Sequence, residues 1–127
     1  MIVLDASTVL VVIYDEPGAA KVTLMLEEQS CAMSAANRSE VVTVLIDGGW
    51  PYEAALNILD ALEIQTIPFT REDANIAAAL RPRTRSVGLG LGDRACLATA
   101  IRRDLAVLTA DRIWAGLDLP IVVDVVR

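Results

Sequence analysis

Four acidic residues, Asp5, Glu40, Asp93 and Asp111, carry the chemistry this chain has to offer. There is no histidine, which excludes a Ser-His-Asp triad and imidazole acid–base catalysis. The two cysteines, Cys31 and Cys96, form no CxxC pair and are too few to close a tetrahedral zinc site. Carboxylates remain. Brought together, they repel one another and raise each other's pKa unless a counter-charge joins them. The simplest counter-charge is a hard divalent cation, Mg²⁺ or Mn²⁺, which takes oxygen ligands. Two such ions roughly 4 Å apart can activate a water and stabilise the leaving oxygen in phosphodiester cleavage.

Taken singly, each acid also has a plainer reading. Asp93 follows Gly88-Leu89-Gly90-Leu91-Gly92, a poor helix interior, and precedes Leu97, Ala98 and Ile101 at helical spacing. It reads as the cap or first turn of a helix, where a carboxylate accepts free N–H groups and suits the helix dipole. Glu40 lies beside Val41, Val42, Val44, Leu45 and Ile46. A carboxylate there is costly unless compensated, or else it turns outward to solvent. Whether the acids act singly or jointly depends on the elements that hold them.

Those elements follow from the hydrophobic pattern. Ile2-Val3-Leu4 is a continuous apolar triplet ending at Asp5, as in a strand buried on both faces. A buried helix follows over Thr8 to Tyr14, closed by Asp15-Glu16-Pro17-Gly18, and an amphipathic one over Ala19 to Glu28. Cys31-Ala32-Met33 is a short strand. Ser34 caps a helix from Ala35 to Asp47, which places Glu40 in its second turn, and Gly48-Gly49 ends it. Pro51 suits the first position of the next helix. Ile64 to Ile67 is a strand, and Thr70-Arg71-Glu72-Asp73 resembles a capping box for a helix over Arg71–Leu80. Arg81 to Ser86 reads as a turn or mobile loop. Leu105 to Thr109 is a strand that ends at Ala110-Asp111, a short helical turn holds Trp114, and Ile121 to Val126 is the last strand.

Strands alternating with helices specify an α/β fold with a central, mostly parallel sheet flanked by helices. Loops leaving strand carboxyl ends then emerge on one edge, where ligands of open α/β sheets bind. Asp5 and Asp111 follow strands, Asp93 begins a helix, and Glu40 lies within about two turns of a helix start. All four fall toward that edge. The strand order 3-2-1-4-5 makes the first and fourth strands neighbours and is the order the acids favour.

Length and composition are consistent with one domain over residues 1–127 and a core of Val, Leu, Ile and Ala, since 54% of the chain is hydrophobic and 4% aromatic. No apolar run approaches the roughly 18 residues of a membrane span, and no basic leader precedes the first apolar residues. A reduced, cytoplasmic setting is expected, with both cysteines in the core. Trp50 and Trp114 are expected to pack. The net charge of −6 argues on its face against nucleic acid. Yet ten of the eleven basic residues are arginine, and Arg81, Arg83, Arg85 and Arg94 crowd around the glycine stretch. As a cluster they suit a solvated loop, while Arg38, Arg94 and Arg112, which adjoin the site motifs, suit either a phosphate contact or pairing with the acids themselves. Cations held by the acids would also reduce the negative charge locally.

Asp5 after the first strand, Ser34-Ala-Ala-Asn-Arg-Ser-Glu40, Leu89-Gly-Leu-Gly-Asp93-Arg-Ala-Cys-Leu-Ala98 and Leu108-Thr-Ala-Asp111-Arg-Ile-Trp114 together resemble a PIN-domain protein, specifically the VapC toxins of bacterial toxin–antitoxin pairs. The resemblance spans the whole chain. It implies a three-layer, Rossmann-like PIN fold and a metal-dependent endoribonuclease that cuts structured RNA such as transfer or ribosomal RNA. It further implies a homodimer neutralised by a VapB-type antitoxin whose tail occupies the acidic groove. By matching position, Asp5, Glu40, Asp93 and Asp111 would hold Mg²⁺ or Mn²⁺, with Ser7 and Thr109 as supporting hydroxyls. Two rival readings share the fold class. A receiver domain needs a phosphoacceptor Asp after the third strand and a Lys after the last, where this chain has Pro68-Phe69 and no lysine. A catalytically inert PIN-like module, using the groove for a peptide partner, keeps the same residues and is separated from the enzyme only by a mutant.

Overall fold

The computed structural model describes all 127 residues. Five strands form one sheet: β1 (Ile2–Leu4), β2 (Cys31–Ser34), β3 (Gln65–Ile67), β4 (Ala106–Thr109) and β5 (Val123–Val125). Their order is β3-β2-β1-β4-β5, and every pairing is parallel. Register places Leu4 opposite Leu108, so the chain leaves β1 and β4 side by side. The strand order reverses between these two, which is where Asp5 and Asp111 emerge.

β1 is buried on both faces because its side chains alternate. Ile2 and Leu4 join Met33 and Leu108 in the larger core, together with α1 (Ala6–Ile13), α2 (Ala19–Glu28), α3 (Ala35–Asp47) and α4 (Tyr52–Ala61). Val3 points the other way and joins Val107, Leu97, Ala100 and Trp114 under α7 (Leu91–Arg103). α5 (Arg71–Ala79) lies against α7. The result is three layers, with the site edge formed by strand ends and helix starts.

Two local readings change. Pro51 is the residue before α4 rather than its first. Its fixed φ suits either place, and its extended ψ of 145° makes it the cap. The Arg81–Ser86 stretch is not a loop. Arg81–Thr84 forms a short helix, α6, with Pro82 in its first turn, and Arg85–Val87 continues as a 3₁₀ turn. The buried Thr84, whose hydroxyl donates to the Leu80 carbonyl at 2.9 Å, anchors this segment. α7 begins at Leu91, so Gly92 is inside its first turn and Asp93 is its third residue.

Candidate active site at the carboxyl edge of the sheet

Asp5 is the most enclosed of the four acids, 3% exposed. It caps α1, accepting the Thr8 amide at 2.8 Å. The Ser7 hydroxyl lies 2.8 Å from both carboxylate oxygens and shares its one proton between them. The Thr109 hydroxyl donates to Oδ2 at 2.6 Å. The Thr8 hydroxyl stands 2.8 Å from both Asp5 Oδ1 and the Leu108 carbonyl, with one proton for the two acceptors. Burial pushes the Asp5 carboxyl above its usual range, against the lowering effect of the Thr109, Thr8 and Ser7 donors.

The same hydroxyls tie the loop after β4 to Asp5. The Ala110 amide donates to Ser7 Oγ at 3.1 Å, and the Asp111 amide donates to Thr109 Oγ1 at 3.0 Å. Asp111 in turn caps the 3₁₀ turn Arg112–Gly116 through Ile113 N–H at 3.0 Å. Two hydroxyl relays therefore hold the ends of β1 and β4 in one geometry.

Glu40 and Asp93 complete the group from α3 and α7. Asn37, one turn before Glu40 and 1% exposed, donates to Glu40 Oε1 at 2.6 Å and to the Gly92 carbonyl at 2.8 Å. Its own Oδ1 is buried without a donor. The Glu40 carboxylate occupies the space where a Cβ at Gly92 would stand. Asp93 reaches back to the Gly90 amide at 3.2 Å. Its carboxyl is raised by burial, opposed by that hydrogen bond, and raised further by the negative charges of Asp5, Glu40 and Asp111. The charges of the other three acids thus all reach Asp93. Below them Cys96 is fully buried, and burial with the charges of Asp5, Asp93 and Glu40 keeps its thiol well above its ordinary pKa. It is inert packing.

No cationic side chain pairs with any of the four. Arg38 binds Asp60 at 2.8 Å, Arg94 donates to the Ala77 carbonyl at 3.1 Å, and Arg112 donates to the Arg127 carbonyl at 2.8 Å. As placed, no three acidic side chains converge tightly enough to coordinate one ion. The donor set nevertheless fits a hard divalent cation. It is all oxygen, it carries uncompensated negative charge, and the carboxylate oxygens keep lone pairs beyond those accepting protein donors.

The family model for the PIN domain matches residues 2–118. The chain belongs to the PIN-domain family. That family is one of nucleases. No curated protein matches the chain in sequence. Among solved structures, VapBC2 from Rickettsia felis, bound to a DNA fragment from its promoter, superposes with a TM-score of 0.75 at 16% identity, covering 98% of each chain. DNA-bound VapBC from Salmonella typhimurium gives 0.75 at 18% identity, again over 98% of each chain. VapC20 from Mycobacterium tuberculosis, a sarcin–ricin loop cleaving toxin, gives 0.73 at 14% identity, over 93% of this chain and 97% of that one. At these identities the likeness is one of PIN fold.

Motif reading from sequence missed Asn37, Thr8 and Gly92. Asn37 was legible only as a polar residue one turn from Glu40, and Gly92 only as one of three alternating glycines. Neither pattern shows that α3 and α7 touch there. No helix of this PIN domain is long and apolar enough to cross a membrane.

Proposed function

We propose that this PIN domain is a divalent-metal-dependent endoribonuclease toxin of the VapC type. Asp5, Glu40, Asp93 and Asp111 are its metal-holding and catalytic residues, and structured RNA, transfer or ribosomal, is its substrate. The observation that carries the reading is that the carboxylates of Asp5, Glu40 and Asp111 all act on Asp93 at one sheet edge, with no protein cation paired to any of the four. A bound Mg²⁺ or Mn²⁺ would supply Lewis-acid activation and charge neutralisation for phosphodiester hydrolysis. The protein's part is to orient: Ser7 and Thr109 hold Asp5, Asn37 holds Glu40, and the Gly90 amide holds Asp93. A divalent cation would offset the repulsion that Asp5, Glu40 and Asp111 exert on Asp93. The fold shared with VapBC complexes supports a VapB-type antitoxin partner, the resemblance of the motifs to VapC toxins implies a homodimer, and the likeness to a sarcin–ricin loop cleaving toxin supports RNA as substrate.

The test is RNA cleavage by the wild-type protein and by Asp93→Asn. The wild type should cut with Mg²⁺ or Mn²⁺ and stop in EDTA, while Asp93→Asn should be folded and inactive. Full activity of Asp93→Asn, or cleavage that persists in excess chelator, removes the proposed site. A folded wild type that binds a peptide partner and cuts no RNA under any metal condition makes the protein an inert binding module.

A further inference from the structure

We propose that Arg83 and Arg85 form a phosphate-gripping rim that holds an RNA strand on its way to Asp93. This rests on the ribonuclease reading and adds to it the surface that attracts the substrate. Both side chains are exposed, donate no hydrogen bond within the chain and have no carboxylate within ion-pair distance. Five other cations meet a carboxylate: Lys21 with Asp124, Arg38 with Asp60, Arg102 and Arg103 with Asp73, and Arg127 with Glu16. Arg81, Arg94 and Arg112 donate to backbone carbonyls, and Arg71 stands alone at the start of α5. Arg83 and Arg85 are two unspent guanidiniums separated only by Thr84, in a chain of net charge −6.

Their mounting is rigid. Thr84, between them, is fully buried, and Arg81 donates to the carbonyl of the buried Leu89 at 3.2 Å. The 3₁₀ turn after Arg85 ends at Gly88, in the left-handed region at φ 72°, and the chain then runs directly into α7 and Asp93. On the other side, Arg83 and Ser86 face Gly116–Leu119 across a cleft of about 340 Å³. That wall follows the 3₁₀ turn capped by Asp111. The cleft thus lies between the segment leading into one site acid and the segment leading away from another. Asp118 on its far wall forms no ion pair with Arg83, which leaves it free to accept from a ribose hydroxyl or a base amino group. Guanidinium binds phosphate bidentately, and unpaired positive charge on the segment that runs into α7 steers a polyanion that the net charge would otherwise repel.

The test uses a labelled single-stranded oligoribonucleotide of mixed sequence and the Asp93→Asn protein, which leaves the RNA uncut. Binding is measured as salt rises from about 50 to about 200 mM, with and without the added changes Arg83→Ala and Arg85→Ala. Each phosphate contact on a single strand contributes a slope of about 0.7 in log affinity against log salt. Losing two should weaken binding at low salt and flatten the slope by about 1.4, so the affinity lost over this range shrinks about sevenfold. Arg83→Lys with Arg85→Lys should restore most of the slope. Arg71→Ala, which removes another exposed arginine at the start of α5, should leave it unchanged. An unaltered slope in the double alanine variant overturns the rim, as does no measurable binding by the Asp93→Asn protein at the lowest salt. Cleavage by the wild type that disappears in Asp93→Asn upholds the ribonuclease reading whichever way the arginines fall, so the two failures are distinct.

Discussion

The Glu40 carboxylate fills the space above the Gly92 Cα where any other residue would carry its Cβ. Helices α3 and α7 therefore meet with no clearance at this point, and Asn37 seals the contact by donating to both Glu40 and the Gly92 carbonyl. Gly92→Ala must displace Glu40, or shift the first turn of α7 and Asp93 with it. Misplacement of about 1 Å can cost on the order of 100-fold in rate. RNA cleavage by Gly92→Ala should fall by about that factor with the fold retained. Gly90→Ala, where an added Cβ meets nothing within 4 Å, should cost far less. Equal losses in the two variants would show that the Glu40 contact is not what the glycine protects.

Asn37 orients Glu40 without belonging to the acid group. Groups that hold metal ligands in place typically contribute 10–100-fold to metal affinity or activity. Asn37→Ala should raise the Mn²⁺ concentration for half-maximal cleavage by about that range, as measured by metal titration of the rate. Asn37→Asp places a like charge beside Glu40 and should be worse. A merely structural Asn37 would lower the melting temperature and leave the metal requirement where it was.

The hydroxyl of Thr109 donates to Asp5 and accepts from the Asp111 amide. Thr109→Val keeps the shape and removes both bonds. The cost of leaving buried partners unmade is about 1–3 kcal/mol in denaturant unfolding. With its shortest donor gone, Asp5 should ionise at still higher pH, which moves the acidic limb of the activity profile upward. Thr109→Ser should restore it. A limb that stays in place in Thr109→Val would mean that Asp5 ionisation does not limit the rate.

Asp5 and Asp93 bind their protons more tightly in the folded chain than in the unfolded one, where carboxyls of this type titrate near 3.8. Between 3.8 and the raised values the folded state holds more protons, so stability falls as pH rises through the folded pKa and returns on acidification. Asp73 acts in the opposite sense. Burial opposes its ionisation but is outweighed by Arg103 and Thr70, which lower its pKa and make a contribution lost only as pH falls through a value below 3.8. Metal-free protein should therefore melt at a higher temperature in mildly acidic buffer than at neutral pH. Excess Mn²⁺ should reverse that order, because the metal competes with protons for the same oxygens. A metal-free melting temperature that rises steadily toward neutral pH would contradict the account.

The sheet was legible because Ile2-Val3-Leu4 and Leu105 to Thr109 are largely apolar runs of strand length, each followed within two residues by an aspartate. The order 3-2-1-4-5, favoured by bringing the acids together rather than by the apolar pattern, is the order found. The capping box at Thr70 and Asp73 was legible for the same reason, since a cap is a local arrangement. Contacts between distant segments were not. Nothing near Asn37 in sequence indicates that Gly92 lies beside it, and nothing in Arg81-Pro82-Arg83 shows that Thr84 would bury and fold the stretch into a helix. Adjacency in sequence is not direction in space: Arg38, next to a site motif, pairs with Asp60 rather than with an acid of the site, and Arg94 donates to the Ala77 carbonyl.

Calorimetric titration with Mn²⁺ of the wild type and of Asp5→Asn, Glu40→Gln, Asp93→Asn and Asp111→Asn, each checked for folding by circular dichroism, addresses the acid cluster without relying on any RNA. The account predicts saturable binding by the wild type that weakens in every one of the four variants. A folded wild type that takes up no Mn²⁺, or four variants that bind it as the wild type does, would contradict it.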